Sequence, residues 1–338
     1  MTSSAKRRVG WVAAGTLDGR TRRFRSLDDA VAMRIANNAR WLNAHSEFDC
    51  EMYRPGRRYD IVVFFKAMDV RCQAEAEKIK ERGGLVVFDA NVNYYEIWGD
   101  YEIEGTRPTA EQQQDAVVFT RLVDHVVADS TYLAEIAKKF NDRVSWVPDN
   151  VDNRRYRPGR PRAGGGPVRL VWSGIAKKAL PLLSIADSLA KLNAAELVLV
   201  SDQPPEVMSA LQDAIPCRFI RWSERRYPGI LRSCDVIISP KRLVNGYELG
   251  HTEYKITLGM AVGLPAIASP QQSYVEAIGD GAGGLIADTG DEWDRALETL
   301  VGDVAVRARL GCGARETVEQ RYATPVVANR YLEVLRSL

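Results

Sequence analysis

Cations recur in this chain where a strand-like run gives way to a helix-like one. Lys177 and Lys178 follow Gly174 by three and four residues, just after VRLVWSG (168–174). A helix start carries unpaired backbone N–H groups and the positive end of the helix dipole, so lysines there build an anion site; the alternative is a solvated helix start. Lys241 and Arg242 follow DVIISP (235–240), and Tyr254-Lys255 opens the stretch holding Gly259, Met260 and Ala261. Ser273, Tyr274 and Glu276 follow PAIAS (265–269), with Ser273 either a helix N-cap or a ligand contact. Trp222 follows RFIR and is a stacking face or a core residue. In the first half, Gly15 ends the run VGWVAAG, where a glycine lets backbone approach a ligand closely. Arg20, Arg22, Arg23 and Arg25 follow as an anion contact or a solvated basic loop. Lys66 and Asp69 follow DIVVFF, and Asp89, Asn91, Asn93, Tyr94 and Tyr95 follow or end GLVVFD. A carboxylate such as Asp89 is the first candidate for holding or polarising a hydroxyl.

Other chemistries have no residues to carry them. The chain has no G-x-G-x-x-G fingerprint with a following acid, no Asp-x-Asp triplet, and only three scattered histidines, His45, His125 and His251. Its five cysteines, Cys50, Cys72, Cys217, Cys234 and Cys312, include no C-x-x-C pair and read as reduced thiols. No metal site is expected.

The elements that must position these residues alternate. Strands are expected at 9–15, 60–65, 84–89, 125–129 and 144–149, with helices at 27–43, 70–82 and 131–140 between them; Asp129-Ser130 reads as the cap of the last. After Pro148 comes DNVDNRRYRPGRPRAGGGP, a linker by composition. A second series follows, with strands at 168–174, 196–202, 218–222, 235–240, 265–269 and 284–287. Its helices fall at 179–192, 205–213, 227–233, 253–262 and 273–278, then 291–301, 304–320 and 324–338. Such alternation predicts an α/β protein of two Rossmann-like, doubly wound domains facing across a cleft, with ligands beyond the carboxyl ends of the strands.

The length of 338 residues suits two domains. Apolar residues at 46% and charged residues at 27% exclude a disordered or disulfide-stapled chain, and a net charge of +2 gives no global field for nucleic acid. The first 58 residues nevertheless hold twelve Lys/Arg against six acids, leaving the remainder at −4. No signal-peptide pattern and no run of 18 apolar residues occurs. The expected location is cytoplasmic, either free or peripheral at the inner face of the membrane through the basic N-terminal domain.

Several stretches resemble the retaining, metal-independent GT-B glycosyltransferases of family 4, also called group 1. HVVADSTYLAEIAKKFNDRVSWVPDNVDNRRYRP is similar to the family's passage from the last N-terminal strand into the linker. YKITLGMAVGLPAIASPQQSYVEAIGDGAGGLIA matches a family run through Lys255, Met260, Ala261, Gly263, Pro265, Ser269, Tyr274, Glu276 and Gly284. VRLVWSGIAKKALPLL and SCDVIISP resemble the opening and a later strand of the donor domain. One departure stands out: the family's two glutamates seven residues apart are absent in register, with Leu258 in the second place and Gly250 near the first. Glu248 and Glu253 are the candidate substitutes.

The resemblance implies an acceptor domain over 1–160, a nucleotide-sugar donor domain over 161–320, and a C-terminal helix over 321–338 crossing back. It implies transfer of a sugar from a nucleotide-diphosphate donor to a hydroxyl acceptor, whether glycan, lipid-linked or small molecule, with retention and without a cofactor. Asp89, Lys178 and Lys255 are then the catalytic candidates. Donor contacts fall on Gly15, Ser173, Gly174, Lys177, Lys178, Trp222, Lys241, Tyr254, Lys255, Ser273, Tyr274 and Glu276, and acceptor contacts on Arg22, Lys66 and Asn91. The missing glutamate pair keeps open a catalytically weak protein that binds a nucleotide sugar or a partner. A two-domain small-ligand binding protein is a third reading.

Overall fold

The structure is a computed structural model that describes residues 6–24, 29–159 and 165–338. The chain forms two compact units. The first holds residues up to Asn150 together with Val244–Thr252 and Thr324–Leu338; the second holds Val151–Leu243 and Glu253–Ala323. The division after Asn150 precedes the compositional linker's Gly-rich part, which lies partly outside the described residues.

Unit one is built on a parallel sheet of β1 (Arg7–Ala13), β2 (Phe48–Met52), β3 (Ile61–Phe65), β4 (Leu85–Ala90), β5 (His125–Ala128) and β6 (Val144–Trp146), ordered β2-β1-β3-β4-β5-β6. Sequence reading missed β2, whose FDCEM alternates buried and more exposed positions as an edge strand does. In β3 every residue is buried, because helices cover both faces of a parallel sheet. Val62 and Phe64 join the core on one side, and Ile61, Val63 and Phe65 the core on the other. The helix Ala110–Leu122, also missed, starts on a reciprocal capping box between Thr109 and Gln112.

Two later segments complete this unit. The C-terminal helix Thr324–Arg336 buries Val327, Tyr331, Leu332 and Leu335 in the core beside Ile35 and Ala39, and Tyr331 packs on Trp11 with ring centroids 5.1 Å apart. Segment 244–252 is tied to the unit by polar contacts: Asn245 Nδ2 donates to the Asp100 carbonyl at 2.6 Å, Asn93 Nδ2 to that of Gly246 at 3.1 Å, and Ser130 Oγ to that of Gly250 at 3.1 Å.

Unit two repeats the plan with β7 (Val168–Ser173), β8 (Ala195–Ser201), β9 (Cys217–Arg221), β10 (Val236–Ser239), β11 (Ala266–Ala268) and β12 (Gly284–Ile286), ordered β12-β11-β10-β7-β8-β9. Every strand pair in both sheets is parallel. The helix expected at 179–192 is instead a 3-10 helix, Ala176–Ile185, followed by a short α-helix, Ala186–Ala190. Pro181 lies inside the first piece; it lacks an N–H and its ring clashes with the carbonyl four residues back, so an α-helix cannot run through. Among the described residues no helix is long and apolar enough to cross a membrane.

Candidate functional site

Each sheet reverses its strand order at one point, and the carboxyl ends of the flanking strands there form a natural binding crevice. In unit one the reversal lies between β1 and β3. The turn after β1 is closed by Thr16, whose Oγ1 donates to the Ala13 carbonyl at 2.8 Å and accepts from the Ala13 amide at 2.9 Å. Gly15 sits in this turn at φ 77°, a conformation that costs any side chain about 1 kcal/mol or more. Across the same edge Lys66, just after β3, has φ 52° and is the one described non-glycine residue at positive φ. Its amide donates to the Asp89 carbonyl at 3.2 Å, and its Nζ lies 5.2 Å from the Phe65 ring centroid. Backbone strain held at a strand end is characteristic of binding sites.

Next to Lys66 lies a buried charge cluster that the sequence did not announce. The fully buried Arg34 donates through Nε to both Asp89 oxygens, at 2.9 and 3.0 Å, and its Nη2 stands 2.8 Å from Oδ1. Its Nη1 reaches Asp149 at 3.0 Å, and Nη2 also donates to the Val147 carbonyl. The Tyr331 hydroxyl donates to Asp89 Oδ2 at 3.0 Å. Burial works against the Arg34 charge, but the fields of Asp89 and then Asp149 outweigh it and move the guanidinium pKa upward. Asp89 is therefore not the residue that meets an acceptor hydroxyl. It is wholly enclosed, with both oxygens engaged, and joins the helix Asp29–His45, β4 and the C-terminal helix.

The sequence alone suggests only a helix-cap role for Asp129. Ser130 takes that role alone, accepting from the Leu133 amide at 3.2 Å, and Asp129 faces a different set of groups. Its Oδ2 accepts a short hydrogen bond from Asn91 Nδ2, and burial, then the negative charge of Asp149, push its carboxyl well above the ordinary range. Burial likewise lowers the Lys66 ammonium pKa. Asn91 and Lys66 are partly exposed at the strand ends, whereas Arg22 is exposed outside regular structure. Arg25 lies outside the described residues.

In unit two the reversal lies between β7 and β10. The Gly174 amide donates to the Val200 carbonyl at 3.1 Å, and Lys255 Nζ lies 5.1 Å from the Trp172 ring centroid. A Cβ placed on Gly174 would stand 3.1 Å from that Nζ and 3.1 Å from two atoms of the Trp172 ring, so the glycine leaves room for both at the end of β7. Two residues 81 positions apart in sequence are thus joined at the switch point. The helix carrying the partly buried Lys178 and the exposed Lys177 starts here, but one of its first amides is occupied: Ala176 N–H donates to Asp202 Oδ1 at 2.8 Å. That bond, with one from Ser201, lowers the Asp202 pKa. The helix start is therefore capped by a carboxylate at its first turn, leaving the lysines as the local cations.

Other candidates fall into two groups. Ser173 Oγ is hydrogen-bonded to the buried Tyr227 hydroxyl, and Tyr274 is buried with its hydroxyl 3.0 Å from Ser239 Oγ; both side chains are part of the core beneath the strand ends. Ser273 is not an N-cap, since Gln271 holds that place, and its Oγ accepts from Gln271 Nε2 at 2.7 Å. Partly exposed at or near strand ends are Lys241, Tyr254 and Glu276. The Lys241 amide donates to Ser269 Oγ at 2.9 Å, which joins the ends of β10 and β11. Trp222 is 39% exposed, so its indole is not a core residue. Of the two candidate replacements for the missing glutamate, the buried Glu248 belongs to unit one and the buried Glu253 opens the second segment of unit two.

Solved structures share this arrangement over nearly the whole chain. A sucrose-phosphate synthase from Thermosynechococcus elongatus superposes with a TM-score of 0.73 at 12% identity, covering 98% of this chain and 99% of that one. HepE from Anabaena does so with a TM-score of 0.68 at 13% identity, covering 98% and 100%. The fold is GT-B, with one six-stranded parallel sheet in each unit. Residues 169–303 match the family described as glycosyl transferases group 1, and a D-inositol 3-phosphate glycosyltransferase from Stackebrandtia nassauensis is 26% identical over 243 residues. That alignment takes in 62% of this chain and 52% of the relative, so the chain spans about half the length of the curated protein it matches. The chain thus has the GT-B fold, and residues 169–303 are similar to glycosyltransferase group 1.

Proposed function

We propose that the chain transfers a glycosyl group from a nucleotide-diphosphate sugar to a hydroxyl acceptor, with retention of anomeric configuration and without a metal ion. The observation that carries this reading is the seating of Lys255 against Gly174 at the switch point of the second sheet, inside the segment that matches the group 1 family. The HepE structure is a complex with UDP, which supports a nucleotide donor for this chain as well.

In this mechanism the bond from the anomeric carbon to the diphosphate oxygen breaks, and the acceptor oxygen bonds to the same carbon on the same face. The acceptor proton passes to an oxygen of the departing diphosphate. Lys255, with Lys177 and Lys178, stabilises the charge that develops there, which is worth most where water is excluded. Asp89, locked to Arg34, takes no part in the proton transfer.

The buried Leu258 in place of the family glutamate favours the second reading, a protein that binds the nucleotide sugar with little turnover. Incubation with UDP-, GDP- and ADP-sugars separates the two. Release of nucleoside diphosphate from at least one donor, with an α-linked product from an α-donor by proton NMR, is expected. Tight donor binding with neither transfer nor hydrolysis would overturn the enzymatic reading.

A further inference from the structure

Unit one carries a groove of about 420 Å³, and none of the candidate donor or acceptor contacts lines it. One wall is Trp146, the last residue of the edge strand β6, with Val147 after it; the other is Arg330, Glu333 and Val334 of the C-terminal helix, with Ser337 just beyond its end. Positions 330, 333, 334 and 337 recur at helical spacing, so one stripe of the helix faces the groove while Tyr331, Leu332 and Leu335 enter the core. Sites for small molecules begin at about 300 Å³, so the groove is large enough for one.

The chemistry of the groove is set by which of its polar groups are already bonded. The Ser337 hydroxyl donates to the Val334 carbonyl at 2.7 Å, and the hydroxyl of Ser145, which also lines the groove, is hydrogen-bonded to His125 Nε2 at 3.0 Å. Two charged groups remain. Arg330 is half-buried, makes no hydrogen bond or ion pair among the described residues, and has a buried Nη1 without a partner. Opposite charges three residues apart on a helix ordinarily pair. Here the guanidinium lies over Trp146 instead, 4.7 Å from the ring centroid, and the exposed Glu333 receives one long bond, from Asn329 Nδ2 at 3.4 Å. The indole thus keeps the cation and the anion of the groove apart. A buried guanidinium N–H without an acceptor is costly, and a carboxylate matches the arginine fork. A simple anion would also meet the negative charge of Glu333, so the fitting occupant carries a cation as well. Its apolar remainder suits Trp146, Val147 and Val334.

We propose that the groove between β6 and the C-terminal helix binds a free α-amino acid with an apolar side chain. Arg330 takes its carboxylate, Glu333 its ammonium, and Trp146, Val147 and Val334 its side chain. This site goes beyond the transferase reading and does not depend on it.

The test uses the full chain, L-leucine as the probe, and two analogues that each lack one charge: 4-methylpentanoate has no ammonium and 3-methylbutylamine no carboxylate. Ligand-observed NMR titrations give the three affinities. Leucine is expected to bind at least about tenfold more tightly than either analogue, the low end for one charged hydrogen bond. Arg330→Gln should weaken leucine and 4-methylpentanoate about tenfold and spare 3-methylbutylamine. Glu333→Gln should weaken leucine and 3-methylbutylamine and spare 4-methylpentanoate. Loss of the helix would weaken all three probes together, so the crossed pattern separates recognition from a structural effect. Should Arg330→Gln fail to fold, Glu333→Gln, at an exposed position, carries the comparison. Absence of leucine binding, equal affinity for the three probes, or leucine affinity unchanged by the variants would overturn the proposal. Release of nucleoside diphosphate from UDP-glucose is measured on the same wild-type sample, and its absence alongside the crossed pattern would count against the transferase reading alone.

Discussion

Asp89→Asn separates a structural carboxylate from a substrate-binding one. The substitution is nearly isosteric, but it replaces an anion that accepts a guanidinium fork and a tyrosine hydroxyl with an amide whose N–H₂ must face one of those donors. Arg34 keeps Asp149 and the Val147 carbonyl, so its charge is left partly compensated in a site it cannot leave. Removing one partner of a buried pair costs about 3–5 kcal/mol, and that range applies here. Tyr331→Phe removes a single hydrogen bond to the same carboxylate, about 1.5–3 kcal/mol. The two effects share one network and will not add. Urea unfolding reports them through the fluorescence of Trp11, which touches Tyr331, and the transition of unit one must be fitted separately because a two-unit chain need not unfold in one step. The expected order is wild type, then Tyr331→Phe, then Asp89→Asn. An unshifted midpoint in Asp89→Asn combined with a raised acceptor KM would refute the structural assignment and return Asp89 to the binding machinery.

Further outcomes follow from the same geometry. Lys177→Ala with Lys178→Ala should weaken binding of the nucleoside diphosphate by at least about 1.5 kcal/mol, roughly tenfold by calorimetry, and unchanged affinity would remove both lysines from the phosphate site. Gly174→Ala should impair donor binding by crowding the Lys255 ammonium and the buried Trp172 ring; normal donor affinity in this variant would contradict the placement of Lys255 in the donor site. Treatment with a chelator should leave turnover intact, whereas loss restored by Mg²⁺ would rule out metal-independent transfer. Asp129→Asn should gain stability relative to the wild type as pH rises. The folded-state pKa of Asp129 is raised, so its contribution is complete below the ordinary carboxylate value of 3.8 and is lost as pH climbs toward the folded value; a pH-independent difference between the two proteins would contradict that sign.

The alternation of strands and helices was legible because a parallel sheet covered on both faces demands unbroken apolar runs, and IVVFF or VIIS cannot be much else. The edge strand FDCEM escaped notice for the converse reason: with one flank in solvent it keeps acids at alternate positions. The strand ends of unit two were readable as positions but not as neighbours. Lys255 and Gly174 meet only because β7 and β10 pair across the switch point, a fact of topology rather than of local pattern. For Asp89 the local pattern misled. A carboxylate at a strand end reads as a ligand-facing group until Arg34 and Tyr331, 55 and 242 residues away, close over it. A signal did exist, since Arg34 stands between Met33 and Ile35 on the apolar stripe of its helix, and an arginine carried into a core must find an anion. Ser130 then completes the argument for Asp129. In the pair Asp129-Ser130 either side chain suits an N-cap, and once the serine caps the helix the aspartate is available for other chemistry. The cations that face its carboxyl are Arg34, itself bonded to Asp89 and Asp149, and then Lys66, and one of its oxygens accepts from Asn91 Nδ2.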